Sequence, residues 1–240
     1  MPRIFSFALG NIWRWEKSKN KDRLIKYVRN LDVSGIEITL SSKEELYSTK
    51  LSTRNTTWLK SLEYVTIHAP FELVKKSENR RELIKQLDVI ARLYKEVNAK
   101  NVIIHPDNLP PPDVLQKYKF NVSTENLSIS SKYKSLNLEG IFIRYEDIKL
   151  CLDISHAYSW SRREIEYLVK KYRPRISQIH FSGTYRKRTH QSLQIVSKDF
   201  LKSIRPLRDL HVPIVIEGDV EKKDIMFLKR EFRYIKKYFN

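Results

Sequence analysis

The sequence predicts one (β/α)8 barrel spanning residues 1–240. Three observations predict it. Eight short apolar runs recur over a length typical of such a barrel. Charged stretches of helical periodicity separate them. Polar side chains recur at the ends of the runs, about 20 to 37 residues apart, the spacing of successive βα units. In chain order the runs are Ile4–Ala8, Gly35–Leu40, Tyr64–His68, Asn101–His105, Asn121–Glu125, Lys149–Asp153, Ile176–His180 and Val212–Glu217. Each is mostly apolar, as expected of a parallel strand covered on both faces. The clearest helix is Glu78–Val97, where Leu83, Leu87, Ile90, Ala91, Leu93, Tyr94 and Val97 form one stripe. After Pro110-Pro111-Pro112 only a stunted helix fits, near Asp113–Tyr118. Ser161-Arg162-Arg163-Glu164 reads as a capping box opening a helix through Tyr172. Ser197 caps a helix through Leu207, and Asp219 or Val220 opens a final basic helix to Phe239. Eight such units without a Gly-rich first turn favour a closed barrel over an open sheet.

Composition narrows the function. Hydrophobic residues make up 41% of the chain, enough for a core and against disorder. Lys and Arg total 46 against 28 Asp and Glu, a net charge of +18. Such a surplus attracts polyanions, with a solvated basic surface as the plain alternative. Cys151 is the lone cysteine, so no intrachain disulfide forms and a reducing compartment is expected. The N-terminus lacks a signal-peptide pattern and no window reaches the roughly 20 apolar residues of a membrane span, so a cytoplasmic location is expected. With 5 glycines and neither GxGxxG nor GxxxxGK[ST], nucleotide binding of the Rossmann or P-loop kind is disfavoured.

Glu37, His68, His105, Glu125, Asp153, His180 and Glu217 mark strand ends, which share one rim in a barrel, where barrel active sites sit. His156 and His190 follow strand ends, whereas His211 falls near the start of the last strand, on the opposite face. One strand-end histidine alone is more often structural than a ligand; the argument is convergence. Glu125, Asp153 and Glu217 together would repel unless a cation lay between them. Imidazole nitrogen with carboxylate oxygen suits Zn, Mn or Fe better than Ca or Mg. Glu37 could face the pocket, but a structural or surface carboxylate is as good a reading. Cys151 should turn inward as a core filler, and Trp13, Trp15, Trp58 and Trp160 are mostly packing residues.

Specific stretches carry a resemblance. His68-Ala69-Pro70-Phe71, Val102-Ile103-Ile104-His105-Pro106, Thr124-Glu125-Asn126-Leu127, Cys151-Leu152-Asp153-Ile154-Ser155-His156-Ala157, Gln178-Ile179-His180-Phe181-Ser182 and Pro213-Ile214-Val215-Ile216-Glu217 span nearly the whole chain. It resembles the xylose isomerase-like barrel superfamily, which includes endonuclease IV and sugar epimerases and isomerases. The endonuclease IV resemblance implies a zinc cluster. His68 and His105 would hold one ion, Glu125 would bridge to a second completed by Asp153, His180 and Glu217, and His156 and His190 would belong to a third. Arg188 stands where that family has an aspartate ligand, so the resemblance leaves two or three Zn open. The sugar-isomerase resemblance implies one Mn or Co ion on Glu125, Asp153, His180 and Glu217.

Two chemistries follow. The first is metal-dependent phosphodiester hydrolysis of abasic or damaged DNA, with Glu125 bridging metals and Glu217 orienting water. Phosphate would be gripped by Arg186, Lys187 and Arg188, with Lys75 and Lys76 as further candidates. Phe71, Trp13 or Tyr185 would meet a splayed base, and Trp160 would line the pocket. The second is isomerisation or epimerisation of a sugar or sugar phosphate, with Glu125 and Glu217 exchanging protons at adjacent carbons. A barrel that keeps a structural metal and only binds a partner is the non-enzymatic alternative.

Overall fold

The computed structural model describes residues 3–16, 19–74, 79–130, 138–186, 188–220 and 222–239. Its strands are β1 (Phe5–Ala8), β2 (Gly35–Thr39), β3 (Tyr64–His68), β4 (Asn101–Ile104), β5 (Val122–Glu125), β6 (Lys149–Asp153), β7 (Ile176–Phe181), β8 (Gly183–Tyr185), β9 (Arg188–Gln191) and β10 (Ile214–Ile216). Eight of them close into a parallel barrel in the order β1-β10-β7-β6-β5-β4-β3-β2, as the sequence predicts. The antiparallel hairpin β8–β9 was not expected from the apolar pattern, because its residues are polar and form no apolar run.

The strands are not apolar on both faces, and this corrects the sequence reading. Side chains alternate across a strand. Ile36, Ile38, Val65, Ile67, Val102, Ile104, Leu150, Leu152, Ile179 and Phe181 join the shared apolar core. Between them Glu37, Thr66, His68, Asn101, Ser123, Glu125, Gln178 and His180 are buried inside the barrel. Some of their hydrogen bonds cross between strands that are not neighbours. Tyr64 Oη donates to Gln178 Oε1 (2.8 Å), and Gln178 Nε2 donates to Glu37 Oε2 (3.2 Å). Most buried polar groups are paired, and this lumen is largely a hydrogen-bonded network rather than layers of branched aliphatics. Gly35 permits the closeness of β1, β2 and β3, since a Cβ there would lie 2.1 Å from the Tyr64 carbonyl oxygen.

The helices are α1 (Lys21–Val28), α2 (Lys43–Ser48), α3 (Thr53–Lys60), α4 (Arg80–Glu96), α5 (Pro112–Leu115), α6 (Leu138–Arg144), α7 (Ile154–Trp160), α8 (Glu164–Tyr172), α9 (Lys198–Ser203) and α10 (Ile225–Phe239). In α4 the expected stripe packs inward through Leu83, Leu87, Ile90 and Leu93. Its cap is Asn79, whose side chain accepts from Glu82 N; Glu78 lies outside the described residues. The Ser161 capping box does not form. Ser161 Oγ accepts from Arg163 N at 3.3 Å, and Arg163 occupies the cap without a side-chain bond. Ser197 does cap its helix, but α9 stops at Ser203 and gives way to a 3-10 turn over Arg205–Asp209, where Pro206 lacks the N–H an α-helix needs. Neither Asp219 nor Val220 opens α10. Asp219 pairs with Arg14 (2.7 Å), the Val220 carbonyl accepts from Trp15 Nε1 (2.9 Å), and Asp224 accepts from Phe227 N instead. Among the described residues no helix is long and apolar enough to cross a membrane.

Candidate metal centre

The parallel register brings the polar strand ends level. Asp153 lies beside His180, and Glu125 lies beside Cys151. Glu125 is the hub of the cluster. Its Oε1 is 3.0 Å from His105 Nε2 and 4.0 Å from His156 Nδ1. Its Oε2 is 3.1 Å from His180 Nδ1 and 4.0 Å from His68 Nε2. Glu217 Oε2 reaches the same His180 nitrogen at 3.2 Å and His190 Nδ1 at 3.8 Å. All eight residues expected to be ligands (His68, His105, Glu125, Asp153, His156, His180, His190 and Glu217) therefore meet at the C-terminal mouth of the barrel.

Local bonds aim each donor. His68 Nδ1 donates to the Ala69 carbonyl (2.9 Å), leaving Nε2 turned to Glu125. His156 Nδ1 donates to the Asn126 carbonyl (3.0 Å), leaving Nε2 facing His190 Nε2 at 3.2 Å. Asn126 is itself locked to the Asp153 backbone through N–H and C=O bonds of 2.9 and 2.8 Å. Asp153 Oδ1 caps α7, accepting from His156 N (2.7 Å), which leaves Oδ2 free toward the cluster. His190 reaches inward from β9 on a left-handed backbone (φ 56°), a conformation rare for a non-glycine residue and common at functional sites. Its place on a hairpin, rather than just past a barrel strand, differs from the sequence expectation.

The donor set fits a divalent cation. Asp153 Oδ2 and His180 Nδ1 are buried without a hydrogen-bond partner. The His180 nitrogen lies within bonding range of two carboxylates yet is aligned to neither. Lone pairs that converge without pairing are what a shared cation requires. Among the described residues four groups have donor atoms within 4.8 Å of one another: His68, His105 and Glu125; Glu125, Cys151 and His180; Glu37, His180 and Glu217; and Asp153, His156 and His190. Asp153 thus groups with His156 and His190, not with His180 and Glu217 as the resemblance implied. Its capping bond turns the free oxygen toward His156, at 3.6 Å, and supplies a carboxylate where Arg188 offers none.

Protonation reflects this crowding. Burial alone would raise the Glu125 carboxyl, but His105 and His180 outweigh it and hold it well below the ordinary range. Burial opposes charge on His180, yet Cys151, Glu217 and Glu37 drive its pKa well above the usual histidine value. His105 is raised against the pull of burial by Glu125, and His190 by Asp153 and Glu217. His68 goes the other way, lowered by burial. The Cys151 thiol is pushed up to about 12, chiefly by burial.

Glu37 and Cys151 mean more than the sequence indicated. Glu37 is fully buried, and its Oε2 accepts from His180 Nε2 (3.1 Å), Thr66 Oγ1 (3.0 Å) and Gln178. This is the carboxylate–histidine arrangement that orients a ligand imidazole. Cys151 is buried as expected, and its thiol lies close to Glu125 and His180. The signal for both was the period-two alternation, which puts Glu37 in phase with Thr39 and Cys151 in phase with Asp153. Of the expected substrate contacts, Phe71 stacks on His105, with centroids 5.2 Å apart. Arg186 and Arg188 lie exposed on the hairpin, Arg186 over the Tyr185 ring. Trp160 is held at the end of α7 by a bond to the Leu127 carbonyl. Lys75, Lys76 and Lys187 lie outside the described residues. A cavity of about 350 Å³ adjoins Glu217 and His190, and its walls include Trp13, Phe71, Lys19 and Lys21.

No protein-family model matches the chain, and no curated protein matches it in sequence. Solved structures do. A D-tagatose 3-epimerase-like protein superposes with TM-score 0.70 at 13% identity, over 98% of this chain and 96% of that one. Endonuclease IV from Thermus thermophilus gives 0.69 at 16% identity, over 97% and 98%. The TTHB071 protein of the same organism, soaked with ZnCl2, gives 0.59 at 14% identity, over 98% and 99%. With eight parallel strands closed by helices and these neighbours, the chain has the xylose isomerase-like TIM-barrel fold.

Proposed function

We infer that this protein is a divalent-metal-dependent hydrolase of phosphodiester bonds in DNA, acting at abasic or damaged sites. The observation that carries the reading is the number of imidazoles at the mouth. His68, His105, His156 and His190 extend the donor set well beyond one carboxylate-rich site, in groups that suit more than one ion. Nitrogen and oxygen donors make zinc the best match. The similarity to endonuclease IV and the net charge of +18 point the same way.

His68 and His105 would hold an ion with Glu125, Glu125 with His180 and Glu217 a second, and Asp153, His156 and His190 a third. When bound, the cations polarise the phosphodiester and stabilise the departing oxygen. The chain's own residues do the rest. Glu217, with 12% of its side chain exposed, reaches solvent and would take the proton of the attacking water. Glu125, at 3%, is enclosed and serves as an anchor. Phe71, 40% exposed beside His105, offers a face for an unstacked base.

A second reading rests on Glu125 and Glu217, whose carboxylates flank the same His180 nitrogen at 3.1 and 3.2 Å. Two such groups could exchange protons at adjacent carbons of a sugar around a single Mn or Co, as similarity to the D-tagatose 3-epimerase-like protein suggests. One experiment separates them. The zinc-loaded protein is expected to nick a duplex containing one abasic site, and His68→Ala to lose at least about a hundredfold in rate, a metal-ligand-scale effect. A parent that leaves the duplex intact across Zn, Mn and Co, while interconverting a ketose with its epimer, would replace the first reading by the second.

A further inference from the structure

We propose that the corner of the cavity formed by Lys19, Ser41 and Trp13 is a phosphate subsite that anchors an anionic part of the substrate while its reacting part lies at Glu217 and His190. The proposal rests on reading the cluster as the reacting centre, and it adds a substrate requirement.

The corner is built from the inside outward. Lys21 Nζ is buried, with 2% of its side chain exposed, and is paired with Glu45 Oε1 at 2.5 Å. The other oxygen, Glu45 Oε2, accepts from Ser41 N (2.7 Å) and from Ser41 Oγ (2.6 Å). Both Glu45 oxygens are thereby engaged, and Ser41 is held so that its hydroxyl oxygen accepts from Lys19 Nζ at 2.7 Å. Lys19 itself has a left-handed backbone (φ 51°) and its ammonium lies 4.9 Å from the centre of the Trp13 ring. Among the described residues it forms no ion pair. One hydroxyl engages one of its three N–H donors, so two remain for a ligand.

Charge makes the corner selective. Lys19 and Lys21 are close enough that Lys19 disfavours the charge on Lys21. One carboxylate between two ammoniums leaves a positive surplus at this end of the cavity. Glu217 makes the other end acidic, and a cation there would be matched by oxygen atoms of the substrate. Arg14 also lies over the Trp13 ring, 4.8 Å from its centre, so a molecule lying along the cavity needs metal-seeking oxygens toward Glu217 and an anion toward Lys19. Lys is a point-charge partner for phosphate, and its charge-assisted bonds are stronger in a partly enclosed site. The phosphate can belong to a nucleic-acid backbone or to a sugar phosphate. A neutral sugar would leave Lys19 unmatched.

The test is calorimetric titration of the full-length zinc-loaded protein and its Lys19→Gln and Lys19→Arg variants. The probes are D-ribose 5-phosphate, D-ribose and a tetrathymidylate. Gln keeps a donor for Ser41 but removes the charge. At least one phosphate-bearing probe is expected to bind Lys19→Gln about tenfold or more weakly, with Lys19→Arg near the parent. Loss confined to ribose 5-phosphate makes the subsite one for monoesters; loss confined to the tetrathymidylate makes it one for strand phosphates. If neither probe weakens, or ribose weakens equally, the subsite is wrong. The two readings fail separately. Abasic nicking with Lys19-independent binding overturns the subsite alone, whereas Lys19-dependent binding without nicking overturns the hydrolase alone.

Discussion

Glu37 and His180 illustrate how much a single side chain decides in this barrel. A carboxylate with no exposed surface is costly unless its charge is compensated. Here Oε2 gathers Thr66, Gln178 and His180, while Oε1 has no partner. The pKa of Glu37 is pushed up by burial but brought below the ordinary value by His180 and His68. Holding His180 by Nε2 leaves Nδ1 facing Glu125 and Glu217, so Glu37 sets which nitrogen is offered to a metal. Glu37→Gln keeps the volume but removes the charge that favours this tautomer. Zinc affinity is expected to fall by about tenfold to a hundredfold, measured by competition with a chromophoric chelator. Parent-like affinity would mean that His180 is oriented without Glu37.

Among the elements, the junction of β2, α1 and α2 joins a buried ion pair to the cavity wall. Lys21 begins α1 and Glu45 lies in the first turn of α2, so one buried ion pair ties two helices together beside the cavity. Removing one partner from such a pair strands a charge. Lys21→Met is expected to cost about 3–5 kcal/mol in denaturant unfolding, while Lys21→Met with Glu45→Leu should recover most of it. The acid dependence has a definite sign. Burial pushes Glu45 up, but Lys21 and Ser41 outweigh it and leave it lowered. A carboxyl with a depressed folded pKa contributes stability above its unfolded value, near 4.5, and loses it as pH falls through the folded value. The parent's thermal midpoint should therefore fall below about pH 4.5 more steeply than that of the double variant. Equal slopes would show that the pair does not report on this limb.

For the molecule as a whole, a metal bound at the mouth would compete with protons for one set of imidazoles. His105, His180 and His190 are raised against burial by the carboxylates around them. In the metal-free protein, raised histidines contribute stability that is complete below the unfolded value of about 6.5 and lost as pH rises through the folded values. Metal binding would require the same rings neutral, so zinc affinity is expected to strengthen as pH rises. The thermal-midpoint gain at fixed zinc is expected to widen from pH 6 to pH 8 in scanning fluorimetry. A gain that is flat or narrows with pH would exclude these imidazoles as the metal's principal ligands.

The barrel and most of the residues that converge at its mouth were legible in the linear chain because both rest on short-range patterns. Eight strand-length runs spaced as βα units predict closure. A polar residue ending a run such as Tyr64–His68 or Lys149–Asp153 must emerge at the same rim as the others. The cap of α8 was misread because Ser161 Oγ accepts from Arg163 N instead, and the start of α10 because tertiary partners decided it. Asp219 and Val220 are taken by Arg14 and Trp15 from the other end of the chain. The β8–β9 hairpin that carries His190 has no apolar periodicity to reveal it. Only tertiary structure decided that Glu37 holds His180, that Asp153 groups with His156 and His190, and that Lys19 faces the cavity. Each depends on angstrom-scale distances between side chains far apart in sequence. Periodicity gives the direction in which a side chain points; barrel closure and register determine what it meets.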